Sequence, residues 1–474
     1  VAGGVGQTGV GQNFIDLTTT AYGKFAINST PGDSVISCTI ESTNCNAVIN
    51  SDSTVSITAL TSSFINLTPL NISIDFNLSN PLIFPIIPTK RVMKQVSNFN
   101  GVSKADIPSM SDNGLNSGIV FNNELYYIGR NSIGNIKLFK YNYTTNRVTQ
   151  VSNLNASGSD SVGSFVIYND ELYFNGTSNL GSKLYKYNPT TNAITQVSNI
   201  NGALTDNIGQ IGVLGDSVYF TAIESSVRYL YRYRSSNNTI VRLINNIGNG
   251  AFIPYNGSIY YSGLNSNNFS KIFKYDPTLN TATQISNLQN SATIPDEINQ
   301  FAVLNGELYF TGSRTGNEIR LFKYNSVTNI ITQVSNMQTN MDLQRNSTRP
   351  MVVSNGSLYF IGVSNTSLIN KLYRYNPTTN AITQISDVRG STTSDNISFM
   401  YNVGDKLYMR LSNASNGGRL CRYDDVTNSL ACLTNIRNGA ASLTDVAPSL
   451  LIEYNGEIYF YGLNAGGFTK LFKF

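Results

Sequence analysis

Residues Gln300–Asn336 read QFAVLNGELYFTGSRTGNEIRLFKYNSVTNIITQVSN. At a period of two this is four short strands. QFAVL is turned back into ELYFTG by Asn305-Gly306, a pair that tolerates the positive φ angles of a tight hairpin. A polar loop leads to RLFKYN, and the turn SVTN leads to IITQVSN. One such meander cannot cover both of its faces, so it needs neighbours of its own kind.

The chain supplies them at a period of roughly 40–50 residues, the signature of a repeat architecture. The second-strand tyrosine recurs eight times, as Tyr126, Tyr173, Tyr219, Tyr260, Tyr309, Tyr359, Tyr408 and Tyr459. The third strand, of type KLFKYN, places a basic residue at Lys140, Lys186, Arg232, Lys274, Lys323, Arg374, Arg422 and Lys473. The fourth, of type ITQVSN, ends seven repeats at Asn153, Asn199, Asn245, Asn287, Asn336, Asp387 and Asn435. The last repeat stops at its third strand, Lys470–Phe474, and an orphan fourth strand, RVMKQVSN, stands at Arg91–Asn98. A closed ring in which that orphan completes the last repeat accounts for both leftovers and leaves no long open edge. An open solenoid would not explain the split repeat. The expected fold is all-β, an eight-bladed β-propeller over residues 91–474, with 91–98 closing the blade formed by 450–474.

The blade pattern NGELYFTG…LFKYN…TNxITQVSN resembles the kelch-type and hyalin-like propeller repeats of secreted and surface-anchored bacterial proteins. The resemblance covers residues 91–474. It differs from kelch in lacking the paired glycines and the tryptophan, and the chain has no Trp. It implies a displayed extracellular propeller.

Residues 1–90 do not carry the blade pattern. Positions 1–13 are a Gly-rich tail. Phe14–Ile27, Ser34–Ile40, Val55–Leu60 and Leu70–Asn77 alternate like strands, so residues 14–80 read as a small β-sandwich of immunoglobulin-like or pilin-like type. Residues 81–90, rich in proline, read as a stiff linker. The chain begins at Val1 rather than Met and has no apolar run long enough to span a bilayer. The expectation is a mature secreted chain whose signal peptide is gone, an engineered start being the alternative.

Four cysteines fall in two local pairs. Cys38 and Cys45 flank a short polar loop, and Cys421 and Cys432 face each other across the third and fourth strands of one blade. Two disulfides imply an oxidising compartment, extracellular or at the cell surface. The alternative is four reduced core cysteines. Fifteen Asn-x-Ser/Thr sites, Asn28, Asn66, Asn142 and Asn256 among them, reflect an Asn-, Ser- and Thr-rich composition more than a glycosylation programme.

Chemistry is narrowed by one fact: the chain contains no histidine. Ser–His–Asp and Cys–His catalysis and His-ligated metals are therefore outside these residues. What remains is carboxylate chemistry or a Lys or Tyr nucleophile. The first strands (GIVF from Gly118, SFVIY from Ser164, QIGVL from Gln210, LLIEY from Leu450) are mostly apolar and poor ground for paired carboxylates. Net charge is +4 with basic residues scattered, which gives nucleic-acid binding no support.

Short, uniform turns join strands one to two and three to four. The other loops vary, so a ligand belongs on that variable face. Asp106, Asp160, Asp206, Asp296, Asp395 and Asp445 recur there. They read as turn caps, with Ca²⁺ ligation the lesser alternative and no other cofactor expected. The strand-three basic residues read as stems covering apolar surface with their charges in water.

The functional expectation is a non-enzymatic structural or adhesion protein. Its N-terminal domain would serve anchoring or assembly by strand donation through Phe14, Ile15 and Leu17, building homo-oligomers or filaments. Its propeller would bind protein or glycan. The alternative is a carbohydrate-active enzyme with a carboxylate pair on the variable face.

Overall fold

The computed structural model describes the strands within 13–88. Within 94–474 it describes all residues except 108–117, 246, 315–318, 338–342, 344–350, 364–368, 388, 391, 398, 405, 413–417, 426–427, 434–445 and 465. The chain divides into two compact units, one chiefly Val1–Lys94 and the other chiefly Gln95–Lys473.

The larger unit is an eight-bladed β-propeller. Each blade is a four-stranded antiparallel sheet. Blade 1 consists of Gly118–Phe121, Glu124–Arg130, Ile136–Asn142 and Arg147–Gln150. Blades 2 to 7 run over 163–196, 211–244, 247–284, 301–333, 352–384 and 400–432, and blade 8 spans 446–473. Its fourth strand is Lys94–Gln95, seated beside Thr469–Lys473. Val96 N–H donates to the Leu471 carbonyl at 2.7 Å, so the N-terminal strand closes the ring. First strands of successive blades approach one another at all eight junctions, Val446–Tyr454 against Gly118–Phe121 included.

The turn chemistry follows the residues. Asn305 and Gly306 have φ of 50° and 72°, and Asn256-Gly257, Asn355-Gly356 and Asn455-Gly456 repeat the pair. Both central residues in the left-handed region define the turn whose twist matches a hairpin. The three-to-four turns also end on a left-handed Asn, seven times from Asn146 to Asn428. Each of these accepts a hydrogen bond from the third-strand tyrosine five residues earlier, as from Tyr141 to Asn146 (3.0 Å) and from Tyr324 to Asn329 (2.7 Å).

The core lies between blades. The second-strand tyrosines are buried, and five of them meet the third-strand tyrosine of the next blade in turn: Tyr126 with Tyr187, Tyr173 with Tyr233, Tyr260 with Tyr324, Tyr309 with Tyr375, Tyr359 with Tyr423. Tyr459 of blade 8 meets Tyr141 of blade 1 at 5.7 Å, so the closing junction repeats the others. Such tilted aromatic pairs contribute about 0.5–1.5 kcal/mol beyond their area.

In the smaller unit seven strands form one sheet. In spatial order they are Asn13–Ile15, Leu82–Pro88, Leu70–Phe76, Val35–Ile40, Thr43–Ile49, Thr54–Ala59 and Tyr22–Ala26. The stretch read as a Pro-rich linker is thus extended but paired. Leu82–Pro88 bonds antiparallel to Leu70–Phe76, and Asn13–Ile15 joins it in parallel. Proline lacks one donor only, so Pro85 and Pro88 do not prevent the other residues from pairing.

Candidate functional site: clamped loops on the variable face

At five junctions the loop leading from a fourth strand into the next blade is pinned by one recurring device. In blade 1, Lys137 of the third strand is fully buried and donates to Asp160 Oδ1 (2.8 Å), the Asn155 carbonyl (2.6 Å) and Asn153 Oδ1 (3.1 Å). Asp160, equally buried, accepts from the Ser152 hydroxyl (2.6 Å) and the Asn155 N–H (2.8 Å). Ser152 in turn accepts the Leu138 N–H at 2.8 Å. The Ser of QVSN, the first basic residue of KLFKYN and the loop aspartate are therefore one unit.

The unit is repeated as Lys183–Asp206 (2.9 Å), Lys271–Asp296 (2.8 Å), Lys371–Asp395 (3.0 Å) and Lys470–Asp106 (3.0 Å), with every one of these side chains fully buried. The last ties the C-terminal strand to the loop after the N-terminal one. Buried charges persist only when paired and hydrogen-bonded, and here they are both. These aspartates do cap turns, as Asn100, Asn155 and Asn201 show by donating their N–H groups to Asp106, Asp160 and Asp206. Their principal partner, however, is an ammonium that sequence reasoning had not connected to them. Asp445 lies outside the described residues. Among the described residues no group of three or more His, Cys, Asp or Glu side chains is placed to hold a metal ion.

The second basic position of the third strand plays another part. Lys140, Lys186, Lys323 and Lys473 are partly exposed and pair with Glu124, Glu171, Glu307 and Glu457 of their own blades at 2.6–2.9 Å. Partial burial pulls the Lys473 ammonium down, but its hydrogen bond to Glu457 and the nearby charges raise it on balance. Burial is also the main cause that lifts the inter-blade phenols: Tyr126 and Tyr173 stand well above the usual range, and Tyr359 is pushed up to about 12.

Of the other predicted residues, Cys38, Cys421 and Cys432 are each disulfide-bonded. The Cys45 side chain lies outside the described residues, as does Leu17. Phe14 and Ile15 stand on the strand Asn13–Ile15, opposite Ile87 and Pro88 of the same chain. Most of Met337–Pro350 and Ile436–Pro448 lies outside the described residues. Among the described residues no helix is long and apolar enough to cross a membrane.

No family model matches the chain. No curated protein matches it either. Solved structures do. A structure from a study of two prolyl endopeptidases is similar over 71% of this chain and 51% of its own, at 8% identity and a TM-score of 0.51. A puromycin-hydrolyzing peptidase of Mycobacterium tuberculosis is similar over 72% and 55%, at 10% identity and 0.44. The propeller domain of the Trilobed protease from Pyrococcus furiosus is similar over 68% and 98%, at 10% identity and 0.44. The chain spans about half the length of the first two.

At such identities the likeness defines the fold, a β-propeller. It also corrects the family assignment. The similar structure that reaches a TM-score of 0.51 comes from a study of prolyl endopeptidases, not from kelch-type or hyalin-like adhesion repeats. The blade motif misled because Tyr, Asn-Gly and QVSN serve blade-to-blade packing, turns and clamps, which any propeller needs. With the family go the expectations drawn with it: a non-enzymatic adhesion protein, a filament subunit assembled by strand donation, and the exclusion of enzymatic activity. The carbohydrate-active alternative is withdrawn with them; the structure similar at a TM-score of 0.51 comes from a study of prolyl endopeptidases.

Proposed function

We propose that this chain is the propeller-bearing part of a peptidase-type hydrolytic protein, handling substrate while the catalytic acid–base group comes from outside these residues. The observation that carries the reading is the eight-bladed ring similar to a prolyl endopeptidase structure over half of that chain's length. The absence of histidine from all 474 residues sets the division of labour, since an imidazole-based triad needs a second component. The clamped loops suit such a ring. Buried ion pairs hold the bases of the variable loops while leaving their tips free to meet a substrate or a catalytic domain.

We further propose that residues 14–80 form a small β-sandwich and that the cysteines pair as Cys38–Cys45 and Cys421–Cys432 in an extracellular or cell-surface protein. The disulfide-bonded state of three of them supports that compartment.

The test is activity-based. Native material captured through this propeller is treated with a fluorophosphonate probe and assayed on prolyl and acyl-peptide anilides. Labelling of the same or a co-captured polypeptide, with anilide hydrolysis, is expected. Native material with neither would reject the peptidase reading.

A further inference from the structure

Blade 3 breaks the repeat. At the position of the clamp lysine it has Tyr229, and no acidic residue occurs between the end of its fourth strand at Ile244 and Tyr255. Its second and third strands are joined by the tight turn Ser225-Ser226, with φ of 49° and 67°. Both halves of the clamp are missing together.

One residue before Tyr229, Arg228 occupies the place that Ile136 holds in blade 1, paired across the strands with Ile223. It is half-buried. No hydrogen bond or ion pair of its guanidinium is found among the described residues, in contrast to the neighbouring Arg242, which meets Glu224 at 2.9 Å. Beside Arg228 lies Thr221, fully buried, whose hydroxyl has no partner. The two groups converge over Gly209. A Cβ at that glycine would lie 2.5 Å from Thr221 Oγ1 and 3.1 Å from an Arg228 terminal nitrogen. Gly209 is held there by its N–H bond to the Thr221 carbonyl at 2.9 Å. The following residue, Gln210, is engaged at both ends by the Phe252 backbone of blade 4, at 2.6 and 3.0 Å.

We propose that Arg228, Thr221 and the bare Gly209 backbone form a binding site for one carboxylate group at the junction of blades 3 and 4. The Arg228 guanidinium can only donate and the Thr221 hydroxyl can donate as well, so one acceptor satisfies both. A guanidinium fork matches a planar carboxylate, and a buried unpaired hydroxyl is costly unless something occupies it. The acid nearest in sequence is turned elsewhere: Glu224 Oε2 accepts from Tyr231 (2.8 Å) and Arg242 (2.9 Å). Blade 2 offers a contrast. Its Asn175 Oδ1 is likewise buried and unpaired, but Ser182 stands where Arg228 does, so the charge is absent there. The carboxylate has two sources, a small free acid or a peptide C-terminus. The site does not rest on the peptidase reading.

The experiment is a calorimetric titration of the full chain with acetate, N-acetyl-diglycine and N-acetyl-diglycinamide. Both acids are expected to bind saturably, with the amide at least tenfold weaker. Arg228→Gln and Gly209→Ala should each weaken acid binding at least tenfold and Thr221→Val severalfold, while Arg242→Gln leaves it unchanged. A peptide acid at least tenfold tighter than acetate identifies a peptide C-terminus; equal affinities identify a free small acid. Unfolding midpoints within error of the parent separate loss of the site from loss of the fold. Absence of saturable acid binding, equal binding of acid and amide, or unchanged binding by a folded Arg228→Gln protein overturns the proposal. Failure to find peptidase activity leaves it standing.

Discussion

The clamp makes a quantitative claim that single and paired substitutions can test. Asp160→Ala would leave the Lys137 ammonium buried with only the Asn153 and Asn155 oxygens, and would strip the Ser152 hydroxyl and Asn155 N–H of their acceptor. Breaking one side of a fully buried pair in this way costs about 3–5 kcal/mol, a factor of roughly 10²–10⁴ in the folding equilibrium. Lys137→Met should cost a similar amount, because it isolates the carboxylate instead. The double variant Lys137→Met/Asp160→Leu removes both charges, as blade 3 does with Tyr229 and no loop acid. Its cost should fall well short of the sum of the two singles, with a coupling of about 1–3 kcal/mol. The assay is urea unfolding followed by tyrosine fluorescence, the intrinsic probe available in a chain without tryptophan. Singles within about 1 kcal/mol of the parent, or a double equal to their sum, would refute the idea that the pair works as one unit.

Other consequences are as direct. Tyr459→Ala removes the blade 8 partner of Tyr141 and Tyr454 at the closing junction; a loss of about 3–5 kcal/mol is expected, with faster proteolysis near residues 94–107 as the readout. Tyr359 and Tyr401 are each raised by burial to about 12. Their protonated forms favour the folded state fully below pH ~10, and stability falls by about 1.4 kcal/mol per pH unit per tyrosine as pH rises from there toward the folded values. Alkaline unfolding that is coincident with phenolate absorbance at 295 nm checks this, and ionisation of all tyrosines in the folded protein near pH 10 would contradict it. Cys421→Ser should lower stability by about 2–3 kcal/mol if Cys421 and Cys432 close their short loop, and non-reducing peptide mapping reads the pairing.

The ring was legible in the sequence because propeller closure leaves a countable trace. A missing fourth strand after Lys473 and a spare one before Asn98 add up to one blade, and Lys94–Gln95 takes that place beside Thr469–Lys473. The hairpin turns were legible for a local reason, the left-handed conformation that Asn and Gly share at Asn305-Gly306. Neither inference needed knowledge of side-chain contacts across blades.

The clamp was harder to see because its parts are far apart in register. The third-strand residue that catches the eye is Lys140, which alternation places beside the neighbouring blade and which pairs with Glu124 near the surface. The residue that matters to the loop is Lys137, on the opposite face of the same strand, joined to an aspartate 23 residues on. A signal was nonetheless present within the repeats. Lysine stands at this position in blades 1, 2, 4, 6 and 8, and these are the blades followed by Asp160, Asp206, Asp296, Asp395 and, around the closure, Asp106. Blade 3 has lost both. Residues that appear and vanish together among copies of one motif are partners, whereas a residue present in every copy could equally be packing.

The functional assignment failed for a different reason. Tyr126, Asn305-Gly306 and Ser152 satisfy requirements that every propeller has: a seal between blades, a tight turn, and an acceptor for a strand N–H. Motifs that recur in every blade therefore report architecture, and a family inferred from them inherits no chemistry. Function in a ring of near-copies is to be sought where one copy departs from the rest. Blade 3 departs at Tyr229 and Arg228, where a clamp has been exchanged for a guanidinium that is unpaired among the described residues, beside an unpaired buried hydroxyl. If that departure were mere drift, the lost ion pair should have been replaced by apolar contact, as stability alone would favour. Tyr229 does pack its ring against Tyr231, with the Arg242 guanidinium over its face. Arg228 and Thr221 do not, and an apolar pair at those two positions would test the point in a single step. Arg228→Ile with Thr221→Val should raise the urea midpoint while abolishing carboxylate binding. A fall in stability would mean that the two side chains are structural after all.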